Sequence, residues 1–145
     1  MRLEDLMPII RETLGNGHTV RLSPKGTSML PMLRQGRDMV LLSPLPKKLK
    51  KYDLPLYQRS NGQYVLHRIV KADNAYTCIG DNQYEKETDL KYEQMIALVT
   101  AFYRDGKKYS VTNFGYRTYC RYWYYSRPLR RFLQRARVWL WRLLK

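Results

Sequence analysis

Residues 26–31 read GTSMLP, and this stretch sets the chain path around the first residue of functional interest. Gly26 has no Cβ, so backbone or a bound molecule can pass close to it. Pro31 disfavours the helical region at Leu30 and so opposes coiling of the chain after Ser28. We therefore expect Ser28 to lie in a stiff, extended turn.

The run YVLHRIV at residues 64–70 predicts a strand, since it is rich in β-branched and aromatic residues. Alternation would place Val65, His67 and Ile69 on one face, where apolar neighbours favour a neutral imidazole. A serine hydroxyl is a weak nucleophile and needs such a base to take its proton. Ser28 and His67 are therefore a candidate nucleophile and base, although a turn serine and a strand histidine are also common as purely structural residues.

Further short runs of β-forming residues, separated by Gly, Pro, Asn and Asp, predict a mainly β protein. The Asp105-Gly106 pair is typical of a hairpin turn, and Pro55 should restrict its strand to a sheet edge or a bulge. Strands at this spacing favour a coiled antiparallel sheet or partly open barrel. The predicted strands are Thr19–Leu22, Met39–Leu42, Leu54–Gln58, Tyr64–Val70, Tyr76–Ile79, Met95–Tyr103 and Lys108–Thr112.

The first residues predict a short amphipathic helix from Leu3 to Leu14, followed by Gly15 as a stop signal. Acidic residues interrupt this segment, so we expect neither a membrane anchor nor a secretory signal there. The helix should pack on the rest of the domain; covering part of a substrate groove is the alternative.

The net charge of +15 is concentrated near the C-terminus, where residues 115–145 contain nine basic and no acidic residues. Residues 129–145 place their apolar side chains in one arc of roughly 140°, which predicts an amphipathic helix with Pro128 at its first position. Leu129 to Lys145 is too short and too charged to span a bilayer. We favour binding to an anionic membrane surface; packing on this domain or a partner, and nucleic-acid binding, remain open.

Four boxes, GTSMLP at residues 26–31, LRQGRDMV at 33–40, HRIV at 67–70 and GDN at 80–82, occur in the order and spacing of a known family. They resemble the successive boxes of type I signal peptidases and the related self-cleaving repressors, over residues 20–99. The histidine in the third box is similar to the branch of that superfamily that uses serine and histidine. The resemblance implies the signal-peptidase type of coiled antiparallel sheet or partly open barrel.

The resemblance also implies roles for individual residues. Ser28 would be the nucleophile and His67 the general base, and the third, acidic member falls at Glu87, with Asp81 and Glu85 as alternatives. Gly26 stands where many signal peptidases carry a hydroxyl side chain, so the oxyanion would be held by backbone N–H groups such as that of Ser28. Substrate would bind near three residues of the first box: Gly26, Met29 and Pro31.

The sequence therefore predicts an N-terminal helix (1–18), a peptidase domain (19–114) and a basic aromatic tail (115–145). We expect a serine endopeptidase that cleaves a precursor or leader peptide, uses no metal or organic cofactor, and lies in the cytoplasm on the membrane surface. Cys78 and Cys120 are expected to be reduced thiols. The alternatives are a non-catalytic module on the same fold that binds membrane or nucleic acid, and a regulatory protein that cleaves itself.

Overall fold

A computed structural model describes residues 2–144 as a mainly β protein with one helix at each end. The elements are α1 (Leu3–Gly15), β1 (Val20–Leu22), β2 (Met39–Ser43), β3 (Pro55–Gln58), β4 (Tyr64–Leu66), β5 (Arg68–Ala72), β6 (Tyr76–Ile79), β7 (Glu87–Leu90), β8 (Met95–Arg104), β9 (Lys107–Ser110) and α2 (Phe114–Leu143).

Residues 2–144 form two antiparallel sheets. The larger is a six-stranded, curled half-barrel in the order β1-β2-β8-β3-β4, with β9 paired to β8. The smaller contains β5, β6 and β7. Two register shifts leave one extra residue each on β8, Thr100 opposite β2 and Ile96 opposite β3, and such bulges bend the strand and increase its twist.

His67 lies where the chain passes from one sheet to the other. The prediction of a single strand from Tyr64 to Val70 is wrong, because β4 ends at Leu66 and β5 begins at Arg68. After His67 the backbone gains a new partner: β5 pairs with β6, with Arg68 opposite Ile79 and Ile69 opposite Cys78. This change of partner holds the His67 side chain at the junction of the two sheets.

Pro55 does not lie at a sheet edge, because β3 is flanked by β8 and β4. The pairing of β3 with β8 does contain a register shift, between Leu56 and Tyr57, but the extra residue lies on β8 and Pro55 itself pairs with Leu98. Pro55 is the first residue of β3, a position that tolerates a residue without an N–H. The hairpin prediction is confirmed: Asp105 and Gly106 both have positive φ and connect β8 to β9.

The predicted N-terminal helix is confirmed as α1. Its residues Met7, Ile10 and Leu14 are buried against the inner face of the half-barrel. A second cluster, between the two sheets, contains Tyr57 and Ile69. The concave sheet, closed on one side by α1, thus forms the main core.

The C-terminal helix is longer than predicted. It begins at Phe114, where the Asn113 side chain accepts a hydrogen bond from the Tyr116 N–H at 3.0 Å. Pro128 is therefore inside the helix, and its expected place at the first helical position is wrong. The first half of α2 buries Tyr116 and Cys120, whereas residues 129–144 are largely exposed. In the part of the chain from residue 2 to 144, no helix combines the length and apolarity needed to cross a bilayer.

Candidate active-site cleft

A cleft of about 680 Å³ opens between the two edge strands of the half-barrel, β1 and β4. Ser28 and His67 both line it, as do residues from the first two turns of α1. The later turns of α1 pack in the core, which confirms the expected packing role of this helix. The apolar wall of the cleft consists of Leu3, Leu6, Leu22, Met29, Leu33, Leu56, Tyr64, Val65 and Leu66.

The chain around Ser28 forms consecutive turns and is not extended as expected. The Leu30 N–H donates to the Thr27 carbonyl at 3.2 Å, and the Leu33 N–H donates to the Met29 carbonyl at 3.0 Å. Pro31 does not prevent this coiling, because turn conformations need only a few residues near the helical region. Within residues 2–144 the Ser28 amide N–H donates to no acceptor.

The Gly-Asp-Asn box fixes the Ser28 turn in place. The Asn82 N–H donates to the Ser28 carbonyl at 2.9 Å, and the Asn82 side-chain amide donates to the Thr27 carbonyl at 3.1 Å. Gly80 makes this approach possible, because a Cβ at that position would lie 2.6 Å from the Ser28 carbonyl oxygen. Residues far apart in the chain thus hold the serine turn against the end of β6.

Gly80→Ala is expected to destabilise the fold by about 1–3 kcal/mol, since the added methyl must displace the Ser28 backbone. Gly15→Ala is the matched control, because a Cβ there meets nothing within 4 Å. Urea denaturation measures both variants. A Gly80→Ala protein as stable as Gly15→Ala would show that this close approach imposes no constraint.

Asp81, one of the candidate acidic members, points into a buried ion-pair network and not toward His67. Its carboxylate accepts two hydrogen bonds from Arg68, at 2.9 and 3.0 Å, and a third from the Tyr119 hydroxyl at 2.8 Å. Its backbone carbonyl accepts from the Trp123 indole N–H. Asp81 therefore ties β5 and α2 to the segment that holds Ser28.

Glu87 is the candidate acidic residue that lies beside His67. One carboxylate oxygen is 3.6 Å from the His67 Nδ1 atom. The other accepts a hydrogen bond from the Tyr57 hydroxyl at 2.9 Å, and that hydroxyl lies 3.4 Å from His67 Nδ1. Arg59 pairs with the same carboxylate. Glu87 thus faces one ring nitrogen of His67, while the exposed Glu85 does not share this cluster.

The arrangement favours one tautomer of His67. Because the Tyr57 proton is donated to Glu87, the Tyr57 oxygen can accept from an Nδ1–H group, and this leaves the Nε2 lone pair unprotonated. Burial lowers the pKa of His67 to about 4, against the opposing influence of Glu87. Burial raises the pKa of Glu87, but hydrogen bonds from Arg59 and Tyr57 have the larger combined effect in the opposite direction. The net result is a lowered pKa, so the carboxyl ionises more readily than usual.

The pKa of His67 predicts a dependence of stability on pH. The unfolded chain binds a proton at this histidine below about pH 6.5, whereas the folded chain does so only near pH 4. The free energy of unfolding should therefore fall as the pH decreases from about 6.5 to about 4, by up to about 1.4 kcal/mol per pH unit. Above about pH 6.5, His67 should add no pH dependence to the stability. Urea unfolding at pH 7.5, 6 and 5 measures the slope.

His67→Gln should reduce that slope, while His18→Gln, at an exposed position, should retain it. Equal slopes for the two variants would contradict the assignment to His67.

The three residues predicted to bind substrate do not all line the cleft. Gly26 and Met29 line the cleft, and the Gly26 N–H donates to the Gln35 side chain at 2.9 Å. Pro31 lies in a separate depression beside Met32 and Phe102. Ser28 and His67 form no hydrogen bond with each other within the described residues, although both face the same cleft.

Tyr57 and Arg59 were not predicted as site residues. They lie on and just after β3, whose pairing with β4 sets Tyr57 opposite Val65, two positions before His67. The Asn61-Gly62 pair is a turn signal. If the residues on either side of this turn are paired outward as a hairpin, Tyr57 is predicted to lie near His67.

No protein-family model, curated protein or solved structure was found to match the chain. Among the described residues, no group of three or more His, Cys, Asp or Glu side chains is placed to hold a metal ion.

Proposed function

We propose that this protein is a serine endopeptidase of the signal-peptidase superfamily, with Ser28 as the nucleophile and His67 as the general base. The observation that carries the proposal is that the two residues line one cleft, with the Nδ1 atom of His67 beside the Glu87 carboxylate. The four sequence boxes support the same conclusion, since both residues come from them.

In the proposed reaction, Ser28 Oγ attacks the scissile carbonyl carbon while His67 Nε2 accepts the hydroxyl proton. The tetrahedral intermediate carries its negative charge on the former carbonyl oxygen, which the Ser28 amide N–H is able to bind. His67 then gives the proton to the leaving amine, and an ester between Ser28 and the peptide remains. Water, activated by the same imidazole, hydrolyses this ester and restores the serine.

Glu87 is the acidic partner that this mechanism uses. An ionised carboxylate near Nδ1 stabilises the imidazolium that forms during attack, and the Tyr57 hydroxyl helps to fix the ring orientation. Catalytic hydrogen bonds are often long until substrate binds. The mechanism therefore requires Ser28 Oγ and His67 Nε2 to approach within hydrogen-bond distance in the substrate complex.

The cleft suits an extended peptide. Among residues 2–144, β4 pairs with β3 on one side only, so its other edge is able to offer backbone N–H and carbonyl groups to a substrate strand beside His67. Apolar side chains from β1, β3 and α1 enclose the remaining space. We propose a precursor or leader peptide as the substrate, with small side chains near the cleaved bond as the resemblance implies.

A peptide library tests the proposal, because it samples many candidate substrates at once. The purified full-length protein is incubated with proteome-derived peptides, and new termini are identified by mass spectrometry. We expect cleavage at a limited set of sites, all of them missing when Ser28→Ala protein is used. A library left unchanged by the wild-type protein, or cut equally by Ser28→Ala, would contradict the proposal.

A further inference from the structure

The second half of α2 carries an apolar face that nothing in the described chain covers. Seven large apolar side chains on this face are between 53% and 82% exposed: Leu129, Phe132, Leu133, Trp139, Leu140, Leu143 and Leu144. At about 100° per residue they fall within one arc of the helix surface. An apolar surface of this size on a single helix indicates a binding partner.

The first half of α2 is held on the domain. Tyr119 and Trp123 donate hydrogen bonds to Asp81, and the Arg127 guanidinium donates to the Gly80 carbonyl at 3.5 Å. These contacts anchor the helix as far as Arg127. The following turns continue from this fixed base, and their large apolar side chains remain exposed.

The positive charge near the C-terminus limits which classes of partner fit the apolar face. Residues 115–145 contain nine basic and no acidic residues. Arg137 borders the apolar arc on one side and Arg135 on the other, so their long side chains are able to reach past the apolar surface to bind anions at its border. The partner must therefore offer an apolar phase with negative charge immediately beside it.

Two other classes of partner fit less well. A second copy of the chain would bring the same positive charges against this helix, and like charges at an interface oppose association. A nucleic acid would match the charge, but its phosphate backbone does not bury seven large apolar side chains. A bilayer with anionic headgroups provides both the charge and the apolar phase.

We propose that residues 129–144 of α2 bind to the surface of an anionic lipid bilayer. The helix lies parallel to the surface, with Phe132, Leu133 and Leu140 below the headgroups and its arginines among the phosphates. This proposal does not depend on peptidase activity, because none of these residues belongs to the cleft.

Vesicle flotation of the full-length protein tests the proposal. We expect the protein to float with vesicles of phosphatidylcholine and phosphatidylglycerol, but not with phosphatidylcholine alone, and to be partly released by 0.5 M salt. Ser28→Ala should float like the wild-type protein, which separates this result from the test of activity.

Leu140→Glu and Val138→Glu form a matched pair, since both replace an exposed apolar residue of α2 by glutamate. Val138 lies on the opposite face of the helix. Leu140→Glu should weaken vesicle binding by about tenfold or more, whereas Val138→Glu should retain most of it.

Three results would overturn the proposal. The first is failure of the wild-type protein to float with anionic vesicles. The second is equal weakening of vesicle binding by both glutamate substitutions, which would show that binding depends on the net charge of the helix and not on its apolar face. The third is a dimer in solution, or a complex with single-stranded RNA, that Leu140→Glu abolishes while flotation is unchanged.

Discussion

Replacement of Ser28 by alanine is expected to lower kcat/KM for a cleaved peptide by a factor on the order of 10⁶, the scale lost when a serine-protease nucleophile is removed. The substitution removes the oxygen that attacks the scissile peptide carbonyl in the first step of the proposed mechanism. It leaves the backbone of the turn intact, because Asn82 contacts the carbonyl groups of Thr27 and Ser28 and not the hydroxyl. The loss is measured by mass spectrometry of a peptide identified in the library.

Ser23→Ala is the matched control for this prediction. Ser23 lines the same cleft, so the substitution removes an identical hydroxyl from the same space. Its activity should stay within a few-fold of wild type, and both variants should unfold at the wild-type urea concentration. Comparable losses for the two variants would indicate that Ser28 acts in binding or packing and not as the nucleophile.

Local patterns were sufficient to predict most of the elements. Helical spacing predicted α1, whose buried residues include Met7, Ile10 and Leu14, and the Asp105-Gly106 pair predicted the last hairpin. The pattern failed at His67, because the residues after it pair with β6 in the second sheet, and this tertiary pairing divides a run that is continuous in strand propensity. It also missed β7, whose sequence Glu87–Leu90 has only one strong β-former and is held by pairing with β6.

The candidate site was predictable only in part. Motif spacing identified Ser28 and His67, and both line the cleft. Spacing along the chain placed the acidic member at Glu87 but did not exclude Asp81 or Glu85. The placement of Asp81 depends on its ion pair with Arg68, which joins β5 to the segment after β6 and cannot be predicted from a local pattern.

Tyr52 adopts a backbone conformation that could not be predicted from the sequence. This residue has a φ of 79°, in a region that favours glycine. The tyrosine ring contacts Tyr124 edge-on, with ring centres 5.9 Å apart, and lies under the Arg121 guanidinium. Packing against α2 therefore opposes the cost of the backbone conformation.

Asp81→Ala is expected to destabilise the protein by about 3–5 kcal/mol, the range found when one partner of a buried ion pair is removed. Arg68 and Asp81 have side-chain exposures of only 2% and 0%, so the remaining guanidinium would be buried without a counter-charge. Tyr119 would also lose its acceptor. Thermal and urea unfolding measure the change, which is large compared with the total stability of a typical domain.

Asp73→Ala provides the surface comparison, because the Lys71–Asp73 pair is exposed whereas the Arg68–Asp81 pair is buried. Exposed pairs contribute little, so this variant should change stability by less than about 1 kcal/mol. The double variant Arg68→Met with Asp81→Asn should be more stable than Asp81→Ala alone, since it removes both buried charges together. If Asp81→Ala cost no more than Asp73→Ala, the Arg68–Asp81 pair would not be what joins α2 and β5 to the Ser28 turn.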